Sequence, residues 1–331
     1  MFKKLMASFG VEAAKVNLVL DNEMCRVGEA VKGKMMVQGG NAGQGIHTLD
    51  VDVVMNLMIR GKELSRVVET IRVARDFRVE ARETKEIPFE HSIPLHYPIS
   101  KGSVSYSLVT KMDIAQAVDT GDADRLVVLP SREMALVFEA LTSLGFKEKI
   151  GSGKIEQYGQ EFEYYPNGQF TEQLKELELK FFIDQNGLRL YLELEMAGDY
   201  MRSGQGHHTE LFLPAELLAS GSVQEVAKTI AEFLEEELSQ VSVNGPRMVP
   251  SYQHQYQQQG YRAGMGGAFG GFMGGIVAGM LGGALLGELF GGDEAEAAET
   301  DDAGDMAGDE GDGGFDFGLG DFGDFGGDDE F

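Results

Sequence analysis

Short segments in which apolar and polar residues alternate dominate the first 130 residues of this sequence. Val16 and Leu18 belong to the first of these segments, and Val51 and Val53 belong to a longer one. An alternation of period two is typical of a strand with one buried face, because successive side chains point to opposite sides of a sheet. Turn residues separate the segments along the chain. This many short strands predicts a β-sandwich over residues 1–130.

The hydrophobic period changes after Pro130. Residues 134–144 carry apolar side chains at helical spacing, and further alternating segments follow them. A serine with a glutamate three residues later, at positions 222 and 225, forms a capping box that predicts a helix over residues 223–238. The mixture of helical and alternating segments predicts a second, α+β lobe over residues 131–243.

Seven glycines with a strict spacing of four residues follow later in the chain, at Gly267, Gly271, Gly275, Gly279, Gly283, Gly287 and Gly291. Residues four apart line one groove of a helix, and glycine in that groove lets a second backbone approach closely. The thirteen glycines of residues 263–292 would penalise an isolated helix in water by on the order of 10 kcal/mol. We therefore predict a glycine-rich helical segment here that self-associates into a homo-oligomer. Membrane insertion and a disordered glycine-rich tract are the alternatives.

An acidic tail, residues 293–331, ends the sequence, and a linker rich in glutamine and tyrosine, residues 244–262, precedes the glycine segment. The tail holds 16 Asp or Glu and no Lys or Arg, within a chain of formal net charge −26. Such charge predicts disorder and repels nucleic acid, so we expect no nucleic-acid partner. The tail also contains phenylalanines that could anchor a protein partner: Phe315, Phe317, Phe322, Phe325 and Phe331. A purely solubilising role for the tail stays open.

Catalytic and cofactor signatures are absent from the sequence. It contains no G-x-S-x-G elbow, no phosphate loop and no C-x-x-C pair, and its single cysteine excludes an intrachain disulfide. We therefore predict no catalytic, cofactor-binding or metal site. His207 and His208 are adjacent and lack a spaced third ligand, which predicts an exposed loop pair. Glu172, Glu176 and Glu178 are interpreted as part of a solvated face.

Several segments carry a family resemblance. The sequence begins Met-Phe-Lys-Lys-Leu-Met-Ala-Ser-Phe-Gly, and residues 28–33 read Gly-Glu-Ala-Val-Lys-Gly, with Val27 where the wider arrestin pattern usually has proline. Residues 85–89, Lys-Glu-Ile-Pro-Phe, resemble the edge strand of arrestin-like domains. Similar segments also occur at residues 93–94, 160–163 and 174–178. Over residues 1–240, the sequence resembles the bacterial sporulation-control protein M family.

The resemblance implies a β-rich, two-lobed, cytoplasmic protein without a catalytic centre. We therefore predict a mainly β fold, an arrestin-like two-lobed β-sandwich with a few helices, followed by the glycine-rich segment and the acidic tail. The predicted function is a non-enzymatic regulator or scaffold that binds protein partners. The first alternative is a membrane-associated protein, which includes a protein with a single membrane span, anchored by residues 263–292. The second is an enzyme with an unrecognised site.

Overall fold

The computed structural model describes residues 13–247, apart from residues 60, 116–119, 157–158, 185 and 198–205. The chain divides into two compact units, residues 1–291 and residues 292–331, and all described residues belong to the first. The predicted glycine segment and acidic tail, and most of the predicted linker, lie outside the described residues.

Two sheets, one antiparallel and one mixed, form the first half of the structure. Its strands are β1 (Lys15–Leu20), β2 (Met24–Arg26), β3 (Ala30–Gln38), β4 (Gln44–Ile59), β5 (Lys62–Val79), β6 (Thr84–Ser92), β7 (Val104–Ile114) and β8 (Thr120–Leu129). One sheet has the order β1-β3-β6, and the other has the order β2-β8-β7-β4-β5. The pairing of β2 with β8 is parallel, and the other pairs are antiparallel.

The alternating residues that predicted this half face each other between the two sheets. Leu18 on β1 and Met35 on β3 are buried, as are Val53 on β4 and Leu108 on β7. The polar residues between them point outward, as period-two alternation requires. The predicted sandwich is thus confirmed.

One sheet and three helices form the second half. The strands are β9 (Phe146–Glu148), β10 (Lys154–Glu156), β11 (Gly159–Pro166), β12 (Leu174–Asp184), β13 (Gly187–Met196) and β14 (His207–Pro214). The helices are α1 (Arg132–Ser143), α2 (Ala215–Ala219) and α3 (Val223–Asn244). The sheet order is β10-β11-β12-β13-β14, and β9 also pairs with β11. The mainly β fold with a few helices is therefore confirmed.

Helix α1 packs on one face of this second sheet through aromatic contacts. The ring centroid of Phe138 lies 5.1 Å from that of Phe162 on β11 and 5.3 Å from that of Phe181 on β12. Helix α3 buries Ile230 and Leu234 in the same core. We call this the helix-covered face.

Helix α3 begins where the capping box predicts. The hydroxyl oxygen of Ser222 accepts a hydrogen bond of 3.2 Å from the backbone N–H of Glu225. The helix runs six residues beyond the predicted end at Leu238, because no glycine or proline interrupts it before Gly245. Gly245 has φ of 77°, a left-handed conformation that favours glycine and ends the helix.

A buried glutamine on β11 contributes to the contact between the two halves. Gln160 on β11 has no exposed surface, and its side-chain oxygen accepts a hydrogen bond of 2.8 Å from the N–H of Ile99. Its amide nitrogen lies 3.0 Å from the carbonyl oxygen of Ile99 and 2.8 Å from that of Gly153. Because Ile99 belongs to the segment between β6 and β7, Gln160 fixes the second sheet against the sandwich.

Candidate functional site

The residues that the sequence predicts for binding are not among those described. All seven glycines of the predicted self-association groove and all five phenylalanines of the predicted partner-binding tail follow residue 247. Their roles stay predictions. The described residues contain two other surfaces with unusual chemistry, one on each half of the fold.

The first surface is a row of titratable side chains that crosses four strands of the second sheet. Glu163 on β11 is opposite Glu178 on β12, Glu178 is opposite Glu193 on β13, and Glu193 is opposite His208 on β14. Directly opposite residues project from the same face of a sheet. We call these four residues the carboxylate row. Their neighbours along each strand, such as Phe162, point to the helix-covered face, so the row lies on the other face.

Lysines neutralise one end of the carboxylate row. The Lys149 ammonium lies 2.6 Å from a carboxylate oxygen of Glu163 and 2.6 Å from one of Glu176. Hydrogen bonds to Glu163, then to Glu176, raise the pKa of Lys149. Burial alone would raise the pKa of Glu163, but hydrogen bonding and charge from Lys149, and then from Lys154, leave that pKa lowered. Glu163 is thus held ionised.

The middle of the row has the opposite electrostatics. Burial, and then the negative charges of Glu161 and Glu193, raise the pKa of Glu178 to about 8. Burial also raises the pKa of Glu193. Glu178 is therefore protonated at neutral pH and can donate a hydrogen bond. Perturbed pKa values of this kind often mark functional sites.

The structure corrects the interpretation of these glutamates as a solvated face. Glu172 is exposed, but Glu176 is only 7% exposed and Glu178 is partly buried. Glu176 and Glu178 lie directly opposite Glu195 and Glu193 on β13, and this cross-strand proximity leaves no local signal in the sequence. No group of three or more His, Cys, Asp or Glu in the described residues is arranged to hold a metal ion.

The structure also corrects the prediction for the two histidines. They begin strand β14 rather than a loop, and they point to opposite faces of the sheet. His207 is 3% exposed and lies on the helix-covered face, where its Nε2 atom is 2.8 Å from a carboxylate oxygen of Glu237 on α3. His208 lies in the carboxylate row. The sequence predicts only a short strand over residues 210–213, and the alternation of Thr209, Leu211 and Leu213 could have extended it to the histidines.

The second surface is the outer edge of strand β5. This strand has 18 residues and ends its sheet, so within the described residues only its inner edge is paired, with β4. It carries more basic than acidic residues. The basic residues are Lys62, Arg66, Arg72, Arg75 and Arg78, and the acidic ones are Glu63, Glu69 and Asp76. We call this edge the basic edge.

Two charged residues of β5 turn inward at the margin of the sandwich. Arg66 and Glu69 are opposite the core residues Met55 and Val53. A carboxylate oxygen of Glu69 lies 3.2 Å from the Tyr97 hydroxyl and 3.3 Å from His91 Nε2. Burial, and then the charge and hydrogen bond of Glu69, raise the pKa of Tyr97. The tyrosine is thus a stable hydrogen-bond donor, and the cluster ties β5 to the segment after β6.

Known proteins resemble this chain over most of its length. The family described as SpoOM protein matches residues 2–198. The sporulation-control protein Spo0M of Bacillus subtilis (strain 168) is 33% identical over 257 residues, which cover 72% of this chain and 98% of that protein. The chain belongs to the Spo0M family. The resemblance predicted from the sequence is thus confirmed.

A solved Spo0M structure extends the match to the fold. The crystal structure of Spo0M, the sporulation control protein from Bacillus subtilis, matches with a TM-score of 0.57 at 27% identity. The match covers 68% of this chain and 99% of that chain. Strand β5 and the three glutamates of the carboxylate row lie inside the Spo0M family match, whereas His207, His208 and Glu237 follow it.

Two segments that carried the resemblance have clear structural roles in this Spo0M family member. Gly28 has φ of 83°, and its N–H donates to the carbonyl oxygen of Ile93 at 2.7 Å, so the Gly28–Glu29 pair forms the turn between β2 and β3. Residues 85–89 lie on β6, which is an edge strand of its sheet. Pro88 is tolerated there because an edge strand can lack one N–H on its open side.

Proposed function

We propose that this Spo0M family member is a non-enzymatic regulatory or scaffold protein that acts through protein–protein contacts. A regulatory role is in keeping with its similarity to a sporulation-control protein. The observation that carries the proposal is the basic edge of β5. An open strand edge presents a row of backbone N–H and C=O groups that an extended segment of a partner can pair with.

Charge defines the partner that suits the basic edge. Strand β5 has five basic and three acidic residues, although the whole chain has a formal net charge of −26. Lys62 and Arg75 are exposed, whereas exposed Arg78 already forms an ion pair of 2.8 Å with Glu80. An acidic extended segment would gain from both the backbone pairing and this local positive charge, and the charge would speed its association. The partner is therefore a protein that presents such a segment.

A pull-down with charge-reversed variants tests the basic edge. In the full chain, Lys62→Glu with Arg75→Glu reverses two exposed charges on β5. Arg132→Glu with Lys228→Glu makes the same total charge change on helices α1 and α3, where these side chains are 82% and 75% exposed. We expect protein partners that the wild type and the helix variant retain and the β5 variant loses. Equal retention by both variants would refute the role of the basic edge, and turnover of a substrate by the purified chain would refute the non-enzymatic assignment.

Self-association through the glycine groove is the second part of the proposal. Its basis is the spacing of four residues from Gly267 to Gly291, which suits a close helix–helix contact. A cytoplasmic homo-oligomer would present several copies of each binding surface, which raises the effective affinity for a multivalent partner. The phenylalanines of the tail would add a further contact with protein partners.

Leucine substitutions distinguish close helix packing in the glycine groove from self-association that is driven by hydrophobicity alone. Gly275→Leu, Gly279→Leu and Gly283→Leu together place three side chains in the groove and hold the backbones apart. The matched control puts leucines on a neighbouring face, as Gly274→Leu, Ala278→Leu and Gly282→Leu. We expect light scattering to show a smaller oligomer for the first variant only. An unchanged oligomer in the groove variant would remove the support for this part.

Membrane anchoring by residues 263–292 is the alternative. The observation that favours it is the absence of charged residues from position 263 to position 287. Among the described helices, none has the length and hydropathy of a membrane-spanning segment. If the full chain stays with membranes after carbonate extraction, and both leucine variants do so too, anchoring replaces the soluble scaffold.

A further inference from the structure

The chain leaves the second lobe through a short segment that follows helix α3. Gly245 ends the helix, and its N–H donates to the carbonyl oxygen of Val241 at 3.0 Å. Pro246 and Arg247 come next. The linker, the glycine segment and the acidic tail all follow Arg247. Arg247 is the last described residue before this long C-terminal part, and its contacts attach the chain to the lobe at that point.

Arg247 is attached to strand β14 by two backbone hydrogen bonds. Its N–H donates to the Nδ1 atom of His207 at 2.9 Å. Its carbonyl oxygen accepts from the N–H of His208 at 2.9 Å. One of the two bonds depends on an imidazole nitrogen, and that nitrogen can act as an acceptor only while it carries no proton.

The other side of the His207 ring determines which tautomer is present. Nε2 lies 2.8 Å from a carboxylate oxygen of Glu237, which can only accept from it when ionised. The proton is therefore on Nε2, and Nδ1 is free to accept from Arg247. His207 is 3% exposed and Glu237 is 8% exposed, so water cannot readily replace either partner. The neutral ring satisfies both neighbours at once.

A second proton on His207 breaks this arrangement on one side only. It would sit on Nδ1 and point at the N–H of Arg247, so that two donors would face each other. On the other side, the bond to Glu237 would become an ion pair and would strengthen. The charged ring thus stays with α3 and can no longer hold Arg247.

The groups that surround this ring come from helix α3, the segment after it and strands β13 and β14. Helix α3 contributes Glu237, and the segment after α3 contributes Arg247. Strand β13 places the apolar Leu194 opposite His207. On β14, His208 points to the other face, where its Nδ1 atom is 3.6 Å from Glu193. Burial, then Lys180 and then His207 lower the pKa of His208 to about 4, so His208 stays neutral in mild acid.

We infer that His207 is a proton-sensitive clasp, which holds the segment after α3 on strand β14 when neutral and releases it when protonated. The clasp controls how the C-terminal part of the chain leaves the lobe. It does not depend on the basic edge or on the glycine groove, so its failure in an experiment would leave the proposed function untouched.

Amide hydrogen exchange of the full chain tests the clasp. The probes are the amides of Arg247 and His208, whose exchange is compared at about pH 7.5 and about pH 5.5 after correction for the intrinsic exchange rate. We expect both amides to be protected at about pH 7.5. At the lower pH their protection should fall roughly fivefold or more, which corresponds to the loss of about one net hydrogen bond. Equal protection at both pH values would overturn the inference.

Three variants distinguish a clasp from a merely structural contact. His207→Asn keeps an acceptor near the position of Nδ1 but takes up no proton, so Arg247 should stay protected at both pH values. Glu237→Gln removes the charge that favours the imidazolium, so release should need a lower pH. Glu236→Gln changes an exposed neighbour on the same helix and should behave as the wild type.

The remaining outcomes are decisive too. Burial also raises the pKa values of Glu178 and Glu193, but these two residues lie on the other face of the sheet and are intact in all three variants. If His207→Asn loses protection in acid as the wild type does, the release comes from another group and the inference is wrong. If Glu237→Gln and Glu236→Gln release Arg247 at the same pH, the proposed geometry is wrong. Because these two variants keep His207, they remain informative even if His207→Asn fails to fold.

Discussion

Glu178 and Glu193 lie directly opposite each other on the neighbouring strands β12 and β13. Two ionised carboxylates in such a pair repel each other and destabilise a sheet. The pair is tolerated because burial and the neighbouring charges of Glu161 and Glu193 raise the pKa of Glu178 to about 8, so that one of the two carries a proton at neutral pH. The stability of the second lobe should therefore depend on pH in a range where few acidic groups titrate.

Glu178→Gln should make the protein more stable in mild alkali. The pKa of Glu178 is raised in the folded state from its ordinary value of 4.5, so its contribution to stability is complete below that value and is lost as the pH rises through about 8. Glutamine never ionises. At about pH 9 the variant should gain about 1 kcal/mol in free energy of unfolding, after allowance for solvent screening. At about pH 5 the difference should be small.

Thermal unfolding at both pH values measures this effect. Glu172→Gln is the matched control, because Glu172 is exposed and should show no such dependence. If the Glu178→Gln and Glu172→Gln variants unfold at the same temperature at about pH 9, the ionisation of Glu178 does not destabilise the protein and this prediction is wrong.

Lys149→Met should destabilise the second lobe. It removes the ammonium group that lies 2.6 Å from both Glu163 and Glu176, whose side chains are each 10% exposed. Two partly buried carboxylates then lose their shared cation, which we expect to cost about 2–3 kcal/mol at neutral pH. The pKa of Glu163 is lowered in the wild type, so this cost should shrink as acid protonates the carboxylates.

Urea unfolding of Lys149→Met and Lys175→Met provides the comparison. Lys175 makes a similar contact, 2.6 Å to Glu195, but its side chain is 63% exposed. The Lys175 variant should therefore resemble the wild type. If both variants lose the same free energy of unfolding, the burial of the Glu163 and Glu176 carboxylates does not set the strength of the Lys149 ion pairs.

Gln160→Ala should weaken the connection between the sandwich and the second sheet. The change leaves the N–H of Ile99 without its acceptor and the carbonyl oxygen of buried Gly153 without this donor. Unpaired buried polar groups cost about 1–3 kcal/mol each, so we expect a total loss of about 2–4 kcal/mol. Gln240→Ala on the exposed side of α3 is the control, since exposed Gln240 donates a hydrogen bond of 3.2 Å to Glu236 on the same helix. A denaturation midpoint unchanged in Gln160→Ala would contradict the joining role.

Truncation after Arg247 should leave a body that melts cooperatively at the temperature of the full chain. Truncation after Val243 should lower that temperature by a few degrees, because it removes the helix end and leaves Nδ1 of buried His207 without its donor. Differential scanning calorimetry of the two truncated chains decides between them. Equal melting would show that the sequence-derived end at residue 243 is sufficient and that Arg247 adds nothing.

The patterns that predicted structure correctly are all local. Alternation at Val51 and Val53 needs only the two-residue repeat of a strand, and the capping box at Ser222 and Glu225 needs only one helical turn. The end of α3 was misplaced because helix termination depends on a breaker, and the first one present is Gly245.

The sequence by itself determined the mainly β fold, the change to an α+β second half and the family. These follow from periodicity and short motifs, in which each residue acts on near neighbours along the chain. Only the tertiary structure decided which polar side chains meet. Glu178 meets Glu193, and His207 meets both Glu237 and Arg247, through strand register and helix packing across 15 to 40 positions of sequence. The electrostatic effects of burial and proximity arise only after that packing, so no local pattern in the sequence records them.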